Sequence, residues 1–142
     1  VPARDASDAV EVGNELPTRA FPGTLATLVQ YAGASGDFNP IHWNEKFAKE
    51  VGLPDVIAHG MFTMAEAIRV VTDWTGDPGA VVEYGVRFTK PVIVPNDDKG
   101  AEIEVSAKVA AKLDDNTVRV DLTATSAGQK VLGMSRAVVR LA

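Results

Sequence analysis

Met61-Phe-Thr-Met64-Ala65-Glu66-Ala67-Ile68-Arg69-Val70-Val71-Thr72-Asp73-Trp74 is the longest helical pattern in the chain, and it is followed by strands alone. Met61, Met64, Ala65, Ile68 and Val71 recur at helical spacing, and Ala67 and Val70 widen the apolar stripe. Only Glu66, Arg69 and Asp73 are charged, so the helix is expected to be mostly buried. Gly76-Asp77-Pro78-Gly79 ends it. Beyond Ala80 the apolar period changes to two. Val81–Phe88 reads as a strand that Pro91–Val94 continues or edges. Ala101–Leu113, Thr117–Ser126 and Lys130–Leu141 read as three more, joined by hairpin turns at Asp114-Asp115-Asn116 and Ala127-Gly128-Gln129. These last strands exceed the usual length, which predicts a strongly twisted or curved antiparallel sheet. One apolar helix with one long curved sheet predicts an α+β domain, the sheet wrapped around a central helix at about residues 61–74.

Upstream, Glu15–Phe21 predicts a short strand closed by Pro22-Gly23. Thr24 is placed to cap a helix carrying Leu25, Leu28, Val29 and Ala32, which Gly33 is expected to stop. Asn44 is placed to cap a second helix, Glu45–Glu50, ended by Gly52-Leu53-Pro54. Residues 1–14 are polar and read as loose. There is no internal repeat, so residues 1–142 are read as a single domain. The chain is 46% hydrophobic with a net charge of −5 and no basic run, a balance that argues against nucleic-acid binding. It has no cysteine, hence no thiol nucleophile and no disulfide framework. The start, Val1 to Ala9, lacks the apolar core of a signal peptide, and no apolar run approaches the roughly 18 residues of a membrane span. A cytoplasmic protein without membrane insertion is the expectation.

Between the helical patterns lies Tyr31-Ala-Gly-Ala-Ser35-Gly36-Asp37-Phe38-Asn39-Pro40-Ile41-His42-Trp43-Asn44, followed downstream by Ala58-His59-Gly60-Met61. Gly36 admits backbone angles closed to other residues, and Pro40 pushes Asn39 toward an extended conformation. The segment is therefore a stiff, irregular loop. It can bring Asp37 and His42, five residues apart, to one pocket flanked by Phe38, Ile41 and Trp43. Burial there would disfavour the charged forms of both and suit them to general acid–base work on a shared water. Each residue also has a plainer reading. Asp37 serves equally as a turn residue, His42 as a structural histidine, and Asn39 as an Asx-turn before Pro40. Asn39 alternatively positions a carbonyl or locks His42. Gly60 stands just before the apolar helix, where a free N–H and the helix dipole favour negative charge; alternatively it only lets the chain enter the helix closely. A zinc site from Asp37, His42 and His59 matches no standard ligand spacing, so no metal is expected. Ser35 lies in no nucleophile elbow.

Tyr31…Ser35-Gly36-Asp37-Phe38-Asn39-Pro40-Ile41-His42…Ala48 resembles the hydratase 2 motif of the MaoC-like (R)-specific enoyl hydratases and dehydratases. Trp74–Phe88 and Val94-Pro95-Asn96-Asp97 are similar to the catalytic B subunits of mycobacterial-type (3R)-hydroxyacyl-ACP dehydratases, so the resemblance runs from about Val12 to Leu141. It implies a hot-dog fold, with Asp37 and His42 as the catalytic pair. It also implies Gly60 N–H as oxyanion donor and Asn39 as a supporting, substrate-binding polar residue. One departure stands out: where some short-chain hydratases carry a serine near the substrate carbonyl, this chain has Ala65. The implied reaction is reversible dehydration of (3R)-3-hydroxyacyl thioesters to trans-2-enoyl thioesters, in fatty-acid or mycolic-acid elongation. No metal or redox cofactor is implied, and the substrate arrives on CoA or acyl carrier protein. The implied partner is a second copy or a related hot-dog subunit. Two rivals share the fold: an acyl thioesterase, and a non-catalytic subunit shaping a partner's acyl tunnel. The Asp37-to-His42 spacing argues against the first, and the intact Asp37/Asn39/His42 set against the second.

Overall fold

The computed structural model describes residues 9–141. Their strands are β1 (Arg19–Gly23), β2 (Val81–Phe88), β3 (Ala101–Lys112), β4 (Thr117–Ser126), β5 (Gln129–Lys130) and β6 (Leu132–Arg140). They form one six-stranded sheet in the order β1-β3-β4-β6-β2, with β5 paired to β4. Every pairing is antiparallel. The helices are α1 (Leu25–Ser35), α2 (Glu45–Glu50) and α3 (Gly60–Thr75), and the sheet curves around α3. Among the described residues no helix is long and apolar enough to cross a membrane.

The period-two pattern does what it predicts. Ile103, Val105, Ala107 and Val109 of β3 and Val118, Val120, Leu122 and Ala124 of β4 are buried, while Glu102, Glu104, Ser106 and Lys108 between them face water. Each fully buried valine or leucine contributes roughly 1.5–3 kcal/mol. Both hairpins have paired left-handed residues, Asp115 (φ 60°) with Asn116 (φ 57°) and Ala127 (φ 51°) with Gly128 (φ 76°). Positive φ at both central positions gives the turn twist that matches the twist of the strands. The predicted last strand divides at Val131, whose N–H bonds Ala124 on β4 while its carbonyl accepts from Thr89. β6 then pairs with both β4 and β2.

Other local expectations shift. The first strand is Arg19–Gly23 and contains Pro22, because on a sheet edge a proline's missing N–H can face away from the ladder. Thr24 caps α1 as expected, but Gly33 does not stop it. A glycine inside a helix costs only about 1 kcal/mol, and the end comes at Gly36, left-handed at φ 78°. Asn44 Oδ1 caps α2 by accepting from Phe47 N–H. Residues 9–14 are tied down rather than loose: Gly13 N–H donates to Val109, and Val109 N–H donates to Asn14. The expectation for residues 1–8 lies outside the described residues.

The central helix spans nearly the predicted residues but is turned by about a quarter. Its buried face is Thr63, Ala67, Val70, Val71 and Thr75, whereas Met61 is 58% exposed, Met64 half-buried and Ala65 exposed. It is thus a helix with one solvent face, not a mostly buried one. Thr63 and Thr75 hide the true stripe because they are polar by type. The Thr75 hydroxyl is satisfied locally by the carbonyls of Thr72 and Asp77, so its burial carries no unmet hydrogen bond. Tyr84 of β2 fixes this rotation by donating its hydroxyl to the Met64 carbonyl at 2.8 Å.

Val71→Asp should therefore abolish folding or lower the melting temperature by many degrees, since it places an unpaired charge against the sheet. Met61→Asp should melt within a few degrees of wild type. Equal losses in thermal melts followed by circular dichroism would contradict this rotation.

Candidate active site

The motif loop leaves α1 at Gly36 and is shaped by its own short polar side chains. Ser35 Oγ accepts from Asp37 N–H at 3.2 Å and Asp37 Oδ1 from Asn39 N–H at 3.1 Å. Asn39 Oδ1 accepts from Ile41 N–H at 3.2 Å, and Pro40–His42 forms a single 3-10 turn. This overlap of Asx-type turns delivers His42 inward, at 7% exposure.

A second segment meets it there. Ile57 N–H donates to the Ile41 carbonyl, Ala58 N–H to Val92, and Val94 N–H to Val56. Residues 56–58 are thus strapped between the motif loop and residues 92–94. The Ile57 carbonyl lies 2.7 Å from His42 Nδ1. A carbonyl oxygen only accepts, so Nδ1 carries the proton and neutral His42 presents a bare Nε2. That nitrogen lies 3.9 Å from Asp37 Oδ2, too long for a direct hydrogen bond and short enough for both atoms to reach one oxygen between them.

The same strap continues into His59 and Gly60. His59 is the N-cap position of α3, and Gly60 is its first residue. Gly60 N–H has no acceptor among the described residues and belongs to the free donors of a helix N-terminus. Its lack of a side chain has a steric reason, because a Cβ there would lie 3.0 Å from the Phe88 ring. His42 and Gly60 line one cavity of about 310 Å³, walled by Ile57, Thr63, Phe88, Val92, Val131 and Leu132. Such a mostly apolar wall suits an apolar chain.

Asp37, His42 and His59 come together, with ligand atoms all within 4.8 Å of one another. The two imidazoles are stacked, however, with centroids 3.8 Å apart and 22° between planes. Stacked rings aim their in-plane lone pairs along nearly parallel planes rather than at one point, so the three do not form a converging metal site.

Several sequence expectations change here. The Asp37 side chain is 52% exposed and lies beside the cavity rather than in its wall. Phe38 and Trp43 do not line this cavity: both are exposed, with Trp43 Nε1 donating to the Phe38 carbonyl. Asn39 caps a turn and does not lock His42, a task that falls to Ile57. Ala65 is exposed on α3, and Thr63 is the α3 residue that joins Gly60 in lining the cavity. Ile57, Thr63 and Phe88 went unnoticed in the sequence. Phe88 could have been found as a strand-end aromatic, whereas Ile57 acts through its main chain and leaves no residue-type signal.

The MaoC like domain family model matches residues 8–127. The 3-hydroxyacyl-thioester dehydratase X of Mycobacterium tuberculosis is 47% identical over 72 residues, covering 51% of this chain and 25% of that protein. The fatty acid synthase subunit beta of Saccharomyces cerevisiae is 38% identical over 90 residues, covering 61% of this chain and 4% of that protein. The matches thus span a quarter or less of these relatives' own length. Among solved structures, a MaoC-like dehydratase superposes with a TM-score of 0.94 at 44% identity, covering 99% of this chain and 43% of that one. An R-hydratase of Pseudomonas aeruginosa superposes with a TM-score of 0.83 at 26% identity, covering 97% of this chain and 86% of that one.

Burial holds the pKa of His59 below its ordinary value, with its hydrogen bond to Asp37 acting in the opposite direction. The folded chain therefore refuses a proton that the unfolded chain takes up below about pH 6.5. Stability from this group is fully present above that pH and is lost as pH falls through the depressed value. The melting temperature should decline as pH falls below about 6.5, and His59→Phe should flatten the decline. Identical slopes in the two proteins would place the loss elsewhere.

Proposed function

This chain belongs to the MaoC-like domain family, and we propose that it dehydrates (3R)-3-hydroxyacyl thioesters to trans-2-enoyl thioesters and catalyses the reverse hydration. The observation that carries the reading is the pair Asp37 Oδ2 and His42 Nε2, 3.9 Å apart beside an apolar cavity. The names of the relatives, a 3-hydroxyacyl-thioester dehydratase and an R-hydratase, support it.

The C2 proton of a thioester is weakly acidic, and its loss sends charge onto the thioester oxygen. Gly60 N–H at the start of α3 is placed to stabilise that oxygen as the charge develops. His42, with Nδ1–H held by Ile57, offers Nε2 as the proton acceptor. Asp37 holds the other side of the oxygen shared between them. In elimination the C2–H and C3–O bonds break, and the proton and hydroxyl leave as water. In hydration one shared water supplies both, and the pair ends in the state in which it began. The chemistry is redox-neutral. Asn39 supports the site by fixing the turn that presents His42.

The substrate would be carried on CoA or acyl carrier protein, its acyl chain in the cavity walled by Val92, Val131 and Leu132. The whole described chain, and by this reading residues 1–142, acts as one hot-dog domain. A second hot-dog domain, identical or related, would pair along β2. Among the described residues that strand is an unpaired edge with Val82 and Phe88 exposed, and long apolar edges rarely stay bare. Phe88 also lines the cavity, so a partner there would complete the site.

Asp37→Asn and His42→Ala should each lower kcat about 100- to 10,000-fold without unfolding the protein. The double variant should be little worse than the worse single one. A chain-length series of 3-hydroxyacyl and enoyl thioesters, followed by enoyl absorbance, measures this; near-wild-type turnover in either variant would remove the pair from the chemistry. In sedimentation the protein should run as a dimer, or should gain long-chain activity when a related hot-dog subunit is added. A monodisperse monomer fully active on long acyl chains would contradict both forms of assembly.

A further inference from the structure

His59 has no part in the chemistry described so far, yet it touches both residues that do. It is 2% exposed and is one of two histidines in the chain. Its ring lies face to face with His42 at 3.8 Å, and Tyr31 meets it in an edge-type contact at 4.8 Å. His59 Nε2 lies 3.1 Å from the Asp37 carbonyl oxygen. That oxygen only accepts, so His59 carries its proton on Nε2. Its Nδ1 is then a bare acceptor, buried and without a hydrogen-bond partner among the described residues.

Each of the two contacts supplies something the motif loop lacks. The other hydrogen bonds at Asp37 run to Ser35 and Asn39, close neighbours that shape the turn but do not anchor it to the rest of the fold. The bond from His59, 22 residues away in sequence, is what ties Asp37 to the core. For His42, the Ile57 bond holds the ring through Nδ1 alone, and a single hydrogen bond tolerates some swing about the broad χ2 torsion of histidine. A flat ring stacked on its face narrows that swing. Phenylalanine would supply the face without the donor, and glutamine the donor without the face.

We propose that His59 is a positioning residue for the Asp37/His42 pair: it anchors the loop through the Asp37 carbonyl and fixes the plane of the His42 ring, so that Nε2 stays aimed at Asp37. Its kinetic consequences rest on the dehydratase reading above; its geometric ones do not. The titratable groups around His42 are the Asp37 carboxylate from its own loop and His59 from the start of α3, and Lys90 from the segment after β2 lines the same cavity. A proton on His59 would set a cation against His42 and leave its Nδ1–H unpaired in the interior, and burial already disfavours it. The proton traffic is thereby confined to Asp37 and His42.

The test uses the intact protein and two variants, His59→Phe and His59→Gln, so that failure of one to fold leaves the other. With only two histidines, long-range proton–nitrogen NMR resolves both imidazoles across about pH 8 to about pH 5. In the wild type His42 should appear as the Nδ1–H tautomer and His59 as the Nε2–H tautomer. In each variant the His42 titration midpoint or tautomer ratio should move. kcat should fall about 10- to 100-fold, the scale of lost supporting contacts around a reactive group, with KM nearly unchanged. His59→Phe, which keeps the stack, should melt close to wild type. Variants that only melt earlier, with kcat per folded molecule and the His42 titration unmoved, would reduce His59 to packing and overturn the proposal. So would a wild-type spectrum showing His59 protonated at Nδ1. A wild type inactive on every hydroxyacyl and enoyl thioester would instead sink the dehydratase reading, and the NMR shifts would still decide the role of His59.

Discussion

His42 Nδ1 donates to the Ile57 carbonyl across 2.7 Å, and the rest of the site is hung from that bond. It sets a tautomer as well as a position, because the acceptor leaves no choice about which nitrogen holds the proton. Ile57 can hold the imidazole only because it is held itself. Its N–H goes back to Ile41, and its neighbours are bonded to Val92 and Val94. This short ladder then runs directly into His59 and Gly60. The imidazole's tautomer, the stacked second histidine and the free amide at the helix start are therefore fixed by one strip of backbone. Preorganisation of this kind matters where charge develops briefly, since groups already in place need no rearrangement at the moment of reaction.

What was legible in the chain was what is local. Asp37 and His42 could be named because five residues of Gly- and Pro-shaped loop bring them together almost unaided. Thr24 and Asn44 could be named as caps because a cap is read within one turn. The strands and both hairpins followed from period-two patterning and turn chemistry. What failed depended on surroundings. The rotation of α3 is hidden in the sequence because Thr63 and Thr75 count as polar, and only the fold shows Thr75's hydroxyl satisfied by nearby carbonyls. Asp37 was expected in a closed pocket, yet exposure is decided by what packs over a loop, not by the loop. Ile57 was illegible for a different reason, since any residue has a carbonyl.

The two edges of the sheet are not equivalent. β1 is five residues long and contains Pro22, features that blunt an edge against further pairing. β2 is eight residues long, has no proline and exposes Val82 and Phe88. Its inner side is committed: it pairs with β6, and Tyr84 reaches across to α3. Among the described residues its outer side offers unpaired backbone groups next to apolar side chains. That asymmetry is the physical ground for placing a second domain on β2 rather than on β1. It also brings the assembly question to the mouth of the cavity, because β2 ends at Phe88.

Gly60 joins the chemistry to that edge. Gly36 is a glycine for backbone reasons, sitting at φ 78°, but Gly60 adopts no left-handed angle and is crowded instead. Its missing side chain makes room for the Phe88 ring, which comes within 3.0 Å of where a Cβ would stand. An apolar ring beside a free N–H lowers the local dielectric around the donor, which would strengthen its interaction with the oxyanion proposed above. The arrangement demands a small residue at the helix start and a large one at the strand end, and neither requirement is visible from the other's local sequence. A change in how β2 is covered would move Phe88, and with it the surroundings of the Gly60 amide. On the proposed reading, pairing at the sheet edge and stabilisation of charge at Gly60 would both bear on the Phe88 ring.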